Sequence, residues 1–407
     1  MRTRSWRVAL ALLSFSAPVA GQTVISEADA LARLSTDSPR VRAIRASVDL
    51  ARAEVLSAGR WPNPRASYNR ESVSGVTENM VTVTQALPVS GRRGLEMSAA
   101  SALAEARATR ADEEIRRVRA DLRLAYGDLV SAQVRETALS RSLDRLRELA
   151  SVLARRESAG DAAGYDRLRA DREVMDMEGE WSQARADRAR AQAALAGFFA
   201  DSRDSMSLVA AVPDVSTRPA LAPLEDLLNR AEGVRGEPAA LRHEVESAQF
   251  AERAASRRLV PDPEIVAGTK SSNFAGGDVG SVFSVHATVP LFDHAQPEHA
   301  VAQARLAQAA ANAAAFQTAL RAQITALRAV VLERREAADR YRAAATQGSD
   351  VLERIARVSY DAGERGILEL LDAYRSGASA RVRSAALDAA VRQAEIELEF
   401  VSGWEIQ

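Results

Sequence analysis

The 407-residue chain carries 54 Lys+Arg against 55 Asp+Glu, a formal net charge of −1, no cysteine and only 5% aromatic residues. Near-neutral charge argues against a nucleic-acid binder, and the missing cysteine excludes disulfides, thiolate catalysis and Cys-ligated metal centres. Ala, Arg and Leu are the commonest residue types and, with Glu, favour long helices.

Arg2, Arg4 and Arg7 precede an apolar run from Val8 to Ala20, closed by small residues through Gly21. That order is that of a secretory signal peptide, and the run is too short for a membrane span of about 20 residues. Cleavage is expected after residues 1–21, and removing three arginines and no acid takes the charge from −1 to −4. No later stretch is long and apolar enough for a spanning helix.

The rest of the chain is written twice. Trp61-Pro62-Asn63-Pro64 recurs as Val260-Pro261-Asp262-Pro263, Leu87-Pro88 as Val289-Pro290, and Ala159-Gly160-Asp161 as Ala362-Gly363-Glu364, each about 200 residues on. The expected organisation is a first repeat at 22–200, a linker at 201–224, a second repeat at 225–403 and a tail at 404–407. Each repeat begins with a helical stretch (Glu27–Arg60; Pro238–Leu259) that ends at a Pro-x-Pro break. A β-hairpin follows, at about 64–88 and 263–291. Within the second, Ser281 to Val289 alternates, with Phe283, Val285, Ala287 and Val289 on one face and Ser284, His286 and Thr288 on the other.

After each hairpin the spacing predicts a very long helix. Its inward set in the first repeat is Val118, Leu122, Ala125, Leu129, Ala132, Glu136, Leu139, Leu143, Leu146, Ala150 and Leu153. In the second it is Leu320, Ile324, Leu327, Val331, Arg334, Ala338, Tyr341, Ala345, Gly348, Leu352 and Ile355. From Leu95 to Ser158 such a helix spans roughly 95 Å at about 1.5 Å per residue. A Gly-marked turn reverses the chain into a return helix (Leu168–Phe198; Leu368–Phe400). Four strands are too few to close a membrane barrel, and an open sheet edge is not viable in lipid. Three copies would supply twelve strands, an even number within the bacterial range.

Two local patterns carry a family resemblance. One is Pro290-Leu291-Phe292-Asp293 closing the last strand, with Gln296 beyond it. The other is Tyr360-Asp361-Ala362-Gly363 followed by Ile367-Leu368-Glu369-Leu370-Leu371-Asp372-Ala373. With the duplicated order, they make the mature chain resemble the TolC-like outer-membrane efflux channels, also called outer membrane factors. The junction Leu87-Pro88-Val89-Ser90-Gly91-Arg92-Arg93 looks most like the CzcC-like cation-efflux branch.

The resemblance implies a mainly α protein with a small β part. A long coiled-coil helical barrel would lie in the periplasm, below a 12-stranded transmembrane β-barrel shared by a homotrimer in the outer membrane. It implies a role as exit duct of a tripartite pump, with a periplasmic membrane-fusion adaptor, an inner-membrane proton-driven transporter and outer-membrane lipids as partners. Heavy-metal cations are the first expectation for cargo and drugs or small organic molecules the alternative; a secreted periplasmic coiled-coil scaffold or adaptor is the reading from another class. By position in the motif, Glu369 and Asp372 fall at the periplasmic constriction. Gly160, Gly164, Gly363, Gly366 and Leu368 fall at the turns where an adaptor would dock.

No chemistry is expected. Asp293, His294, Glu298 and His299 cluster, but Pro297 interrupts a helical turn there and the spacing matches no zinc motif, so they read as a solvated helix start. Catalytic, cofactor and metal sites are expected to be absent, and the protein is not expected to be an enzyme.

Overall fold

The computed structural model describes residues 23–34, 38–159, 164–199, 207–213 and 218–404. The expected signal peptide therefore lies outside the described residues, as does Gly160.

One helix organises the molecule. Helix α3 runs unbroken from Arg92 to Ser158, 67 residues or about 100 Å. It contains no proline, and Leu122, Leu129, Leu139, Leu143, Leu146 and Leu153 form a buried stripe along it. Val118, Ala125, Ala132, Glu136 and Ala150 of the expected set are half-buried. Before it come β1 (Thr23–Ile25), α1 (Glu27–Arg33), α2 (Pro39–Ala58), β2 (Arg65–Val73) and β3 (Val76–Ala86). After it come α4 (Gly164–Ala196), β4 (Leu208–Ala210), α5 (Leu224–Val234), α6 (Gly236–Ser256), β5 (Glu264–Ser272) and β6 (Asp278–His286). The chain closes with α7 (Gln296–Tyr341), a π-helical turn (Arg342–Thr346), α8 (Gln347–Asp361) and α9 (Ile367–Ser402).

The expected first helix, Glu27–Arg60, is divided into α1 and α2, with Pro39 at the first helical position of α2, where its missing N–H costs nothing. Helix α1 opens with a capping box: the Ser26 hydroxyl accepts from the Asp29 N–H at 3.1 Å, and the Asp29 carboxylate accepts from the Ser26 N–H at 3.1 Å.

The second long helix departs from its expected register. Above the π turn the heptad holds, with Leu320, Ile324, Val331 and Ala338 buried. Below it Leu352 and Ile355, expected inward, are 60% and 53% exposed, while their successors Glu353 and Ala356 are buried. A π turn inserts one extra residue, which rotates everything after it by about one 100° step. The seam therefore passes from 352 and 355 to 353 and 356.

Two apolar clusters hold the middle of the bundle and one its far end. At the far end, Leu139, Leu143, Leu146 and Leu153 of α3 pack with Met177 of α4, Ala356 of α8 and Ile367, Leu370, Leu371 and Tyr374 of α9. The middle carries a feature that hydrophobic spacing does not announce: β1 pairs in parallel with β4, Thr23 opposite Leu208 through Ile25 opposite Ala210. The Gln133 side-chain amide finishes the edge of this ribbon as a third strand would. It accepts from the Ala210 N–H at 2.8 Å and donates to the Ala210 carbonyl at 2.9 Å. Gln192 donates to the Leu208 carbonyl at 2.7 Å.

The other sheet has the order β2-β3-β5-β6, antiparallel throughout. Strands β2 and β3 meet at the two-residue turn Ser74-Gly75, both with positive φ (51° and 83°), the I′ geometry that suits the twist of a hairpin. Between the hairpins, β3 pairs with β5 from Glu78 opposite Ser272 to Ala86 opposite Glu264. Strand β6 ends at His286, so Ala287 to Val289 lie beyond it rather than in it as expected. The ladder stops where its partner would have to continue through Pro263 and Pro261, which have no N–H to donate.

Candidate functional site

Cross-strand register sorts the side chains of the four-stranded sheet onto two faces. One face carries Ala66, Tyr68, Val81, Val83, Ile265, Ala267, Phe283 and Val285 as an apolar band near the helices, with Gln85 at its foot and Arg70, Asn79, Thr269 and Ser281 towards the hairpin tips. The other is mainly polar, with Arg65, Ser67, Thr82, Thr84, Glu78, Lys270, Ser284 and His286 around Met80, Val266 and Val282. In a water-soluble sheet the apolar face packs on a core. Here the relation is inverted: Phe283 is 72% exposed and Val81, Val83 and Val285 are exposed with it, while Thr82 and Val266 on the polar face are buried. The sheet thus curls towards its polar side. On that concave side Lys270 pairs with Glu78 at 2.6 Å, and the Ser67 and Thr82 hydroxyls are 2.7 Å apart. Outer strands β2 and β6, each of nine residues, pair on one side only among the described residues.

Gly268 tightens the curl. A Cβ built there would stand 2.0 Å from the Val81 carbonyl oxygen, so β3 and β5 approach closely only because position 268 has no side chain.

At the opposite end of the helices, the chain reverses twice. Helix α8 ends in a Schellman motif: the Glu364 N–H donates to the Ser359 carbonyl at 2.9 Å and the Gly363 N–H to the Tyr360 carbonyl at 3.0 Å. Gly363 has φ 73°, the left-handed conformation this cap requires. Gly366 caps the start of α9 with extended backbone, and Leu368 is exposed one residue into the helix. Gly164 begins α4; a Cβ there would stand 2.7 Å from the Glu157 carboxylate, which itself pairs with Arg167 at 2.5 Å. The two turns touch, since Arg156 of α3 is 3.8 Å from Asp361 and lies over the Tyr360 ring. Burial, with Asp166 nearby, pushes the Tyr360 hydroxyl above its ordinary pKa.

Glu369 and Asp372 project from the same exposed face of α9, opposite the buried Ile367, Leu370, Leu371 and Tyr374. Neither has an ion-pair partner among the described residues. A third acid, Glu353 on α8, was not singled out by spacing because it occupies the place next to an expected core leucine. It is buried, pairs with Arg145 of α3 and Arg381 of α9, and lies against Gly377.

The histidine region below β6 does not converge. His299 reaches Glu252 of α6 at 2.9 Å, Glu298 pairs with Arg258, and Asp293 accepts from the Ala295 N–H at 2.9 Å. Among the described residues no group of three or more His, Cys, Asp or Glu is arranged to hold a metal ion.

Midway along the bundle, Glu27 joins three elements through Arg123 of α3 at 2.5 Å and Arg392 of α9 at 2.9 Å. Burial alone would push its carboxyl up, but Arg392 and Arg123 outweigh that and hold it below the ordinary glutamate value. Arg123 also pairs with the buried Glu399.

No protein-family model and no characterised protein matches the chain by sequence. Solved structures do match by shape. A membrane protein from Pseudomonas aeruginosa superposes with TM-score 0.79 at 18% identity, covering 93% of both chains. The outer membrane protein VceC of Vibrio cholerae gives 0.77 at 16% identity, covering 94% of this chain and 97% of its own. The outer-membrane channel OprN gives 0.76 at 18% identity, covering 93% and 89%. At such identities the likeness establishes the fold: a mainly α chain with a small antiparallel sheet, arranged as in these solved structures. No helix among the described residues is long and apolar enough to cross a membrane.

Proposed function

We propose that the protein is a TolC-like outer membrane factor, the outer-membrane exit duct of a tripartite efflux pump, working as a homotrimer. The observation that carries this reading is the inverted sheet. An apolar face left exposed, a polar face curled inward and two open edges suit a third of a closed barrel whose exterior is lipid and whose interior is water. Three chains would supply twelve strands and close every edge. The long helices then continue the bore into the periplasm for about 100 Å.

Self-association has a second support. The register shift leaves Leu352, Ile355 and Val358 of α8 exposed, and Tyr165, Leu168 and Met175 of α4 are exposed as well. Two different apolar patches on one chain suit a heterologous contact, which closes into a ring when copies repeat it. A monomeric periplasmic scaffold or adaptor would have no use for the exposed apolar face of the sheet.

The finer reading follows the sequence motifs. Glu369 and Asp372 of three copies would put six carboxylates around the periplasmic end of the bore, favouring cations over anions. The adaptor would dock at the turns, at Gly160, Gly164, Gly363, Gly366 and Leu368, and an inner-membrane proton-driven transporter would deliver cargo. Heavy-metal cations are the cargo we infer, from the Leu87–Arg93 junction; drugs or small organic molecules are the competing class. Deleting the protein and measuring sensitivity to a panel of metals and drugs decides between them. Sensitisation to metals alone supports the cation reading, sensitisation to drugs alone replaces it, and sensitisation to neither removes the efflux role.

A further inference from the structure

Helix α8 carries two candidate inward faces, one residue apart. In the observed phase Glu353 and Ala356 are buried, and Tyr360 is half-buried beyond them. One residue earlier stand Leu352 and Ile355, both exposed, with Val351 and Val358 exposed beside them. The spacing of Leu320, Ile324, Val331 and Ala338 along α7 points to Leu352 and Ile355, and the π turn Arg342–Thr346 moves them off the seam. The same residues drawn as plain α-helix would turn α8 by about 100° and seat both on the core.

The upper side of the turn is fixed. Arg342, its first residue, donates to Asp339 at 3.2 Å and pairs with Asp388 of α9. Arg218, before α5, reaches the same two acids at 2.9 Å and 2.7 Å. This closed square of two arginines and two aspartates holds the end of α7 on α9, which confines a change of phase to the segment below it. The lower side is balanced between opposing terms. Arg145 and Arg381 grip Glu353 in the space left by Gly377, which favours the observed phase. Against it stands the burial forgone by Leu352 and Ile355. Rotation would turn Glu353 towards water, and the Arg145 side chain is already half-exposed, so neither charge would be stranded in the core.

We propose that the π turn is a phase switch for assembly: α8 has two registers, and a second copy of this chain selects the observed one. With a copy covering Leu352, Ile355 and Val358, the turn is kept and Glu353 stays inward. In a chain without that cover the turn resolves, α8 rotates, and Leu352 and Ile355 join the apolar cluster at the far end of the bundle. The proposal rests on the homotrimer reading and adds how an unassembled chain keeps an apolar face from adhering elsewhere.

The chain lacks cysteine, so one introduced thiol reports the phase. Full-length Ala356→Cys protein is separated in one detergent into trimer and folded monomer, and alkylation by a water-soluble maleimide is timed in each. Ala356 is buried within a single chain, so loss of the partner copies does not by itself uncover it. The expected result is labelling about tenfold faster in the monomer. Ala378→Cys, at a buried position of α9 in the same cluster, should stay protected in both. Deleting Ala344 removes the extra residue, so no turn remains to resolve, Glu353 and Ala356 keep their places, and a thiol at 356 should be protected in the monomer too. Equal labelling of trimer and monomer, exposure at 378 as well as 356, or fast labelling that survives the deletion each overturns the switch. The comparison of 356 with 378 decides even where the shortened chain does not fold. Recovery of no trimer at all removes the homotrimer reading and the switch with it.

Discussion

Glu353 of α8 occupies the space that a side chain on Gly377 of α9 would need: a Cβ built at 377 stands 1.8 Å from its Oε1 and 2.8 Å from its Cδ. The carboxylate cannot swing away freely, because Arg145 and Arg381 hold it from α3 and α9. Gly377→Ala should therefore displace a buried, paired acid and cost about 1–3 kcal/mol. Thermal unfolding of the two proteins in detergent measures it; an unchanged midpoint would mean that α8 and α9 separate easily at this level.

The seam between the hairpins depends on a second close approach. Gly268→Ala would drive a methyl into the Val81 carbonyl oxygen, a backbone atom with no rotamer to escape into. We expect β3 and β5 to lose pairing around that position and the yield of assembled protein in outer membranes to fall sharply. Membrane fractionation reads this directly, and wild-type yield would show that the strands can part without harm.

Leu352 and Ile355, turned outward by the π turn, are assigned to contact between copies. Replacing both by glutamate puts charge where the account needs an apolar seam, while leaving the chain's own core, which uses Glu353 and Ala356, untouched. Cross-linking and light scattering should report monomers in place of trimers. A trimer of normal stability would move the contact elsewhere.

A pH dependence follows from Glu27. Its carboxyl is held below the ordinary value of 4.5, so its contribution is present above that value and is lost as pH falls through the depressed one. Glu27→Gln should lower the unfolding temperature near neutral pH, and the gap to the unaltered protein should narrow below about pH 4.5. A gap that stays constant into acid would show that Arg123 and Arg392 gain nothing from that charge.

At the far turn, Glu369→Ala with Asp372→Ala should reduce cation preference and raise single-channel conductance in planar bilayers, since six fewer carboxylates would face the bore. Unchanged conductance and selectivity would leave these two acids as ordinary solvated helix residues.

What was legible in the sequence divides along physical lines. Long helices announce themselves because Leu122 to Leu153 repeats on one side without proline, and the hairpins because Pro-x-Pro stops a helix before an alternating run. Alternation overextends strand β6, since it continues past His286 whereas pairing needs donors that Pro261 and Pro263 lack. The inward set failed after Thr346 for a different reason. A π turn is a backbone event of one residue, and a heptad extrapolated through it keeps the old phase, so Leu352 stood in for Glu353. Three-residue strands such as Thr23–Ile25 are too short to show a period, and the Gln133 amide that completes their ribbon sits among many helix polar residues. The constriction pair came from motif position alone, and no spacing rule separates Glu369 from any other exposed acid.

The inverted sheet makes this chain, on our proposal, one third of a membrane barrel. Outer membranes extracted without boiling and run in SDS beside a boiled sample test it most directly. The expected result is a resistant trimer that collapses to the monomer on heating. Recovery of the protein as a monomer in the soluble periplasmic fraction would contradict it.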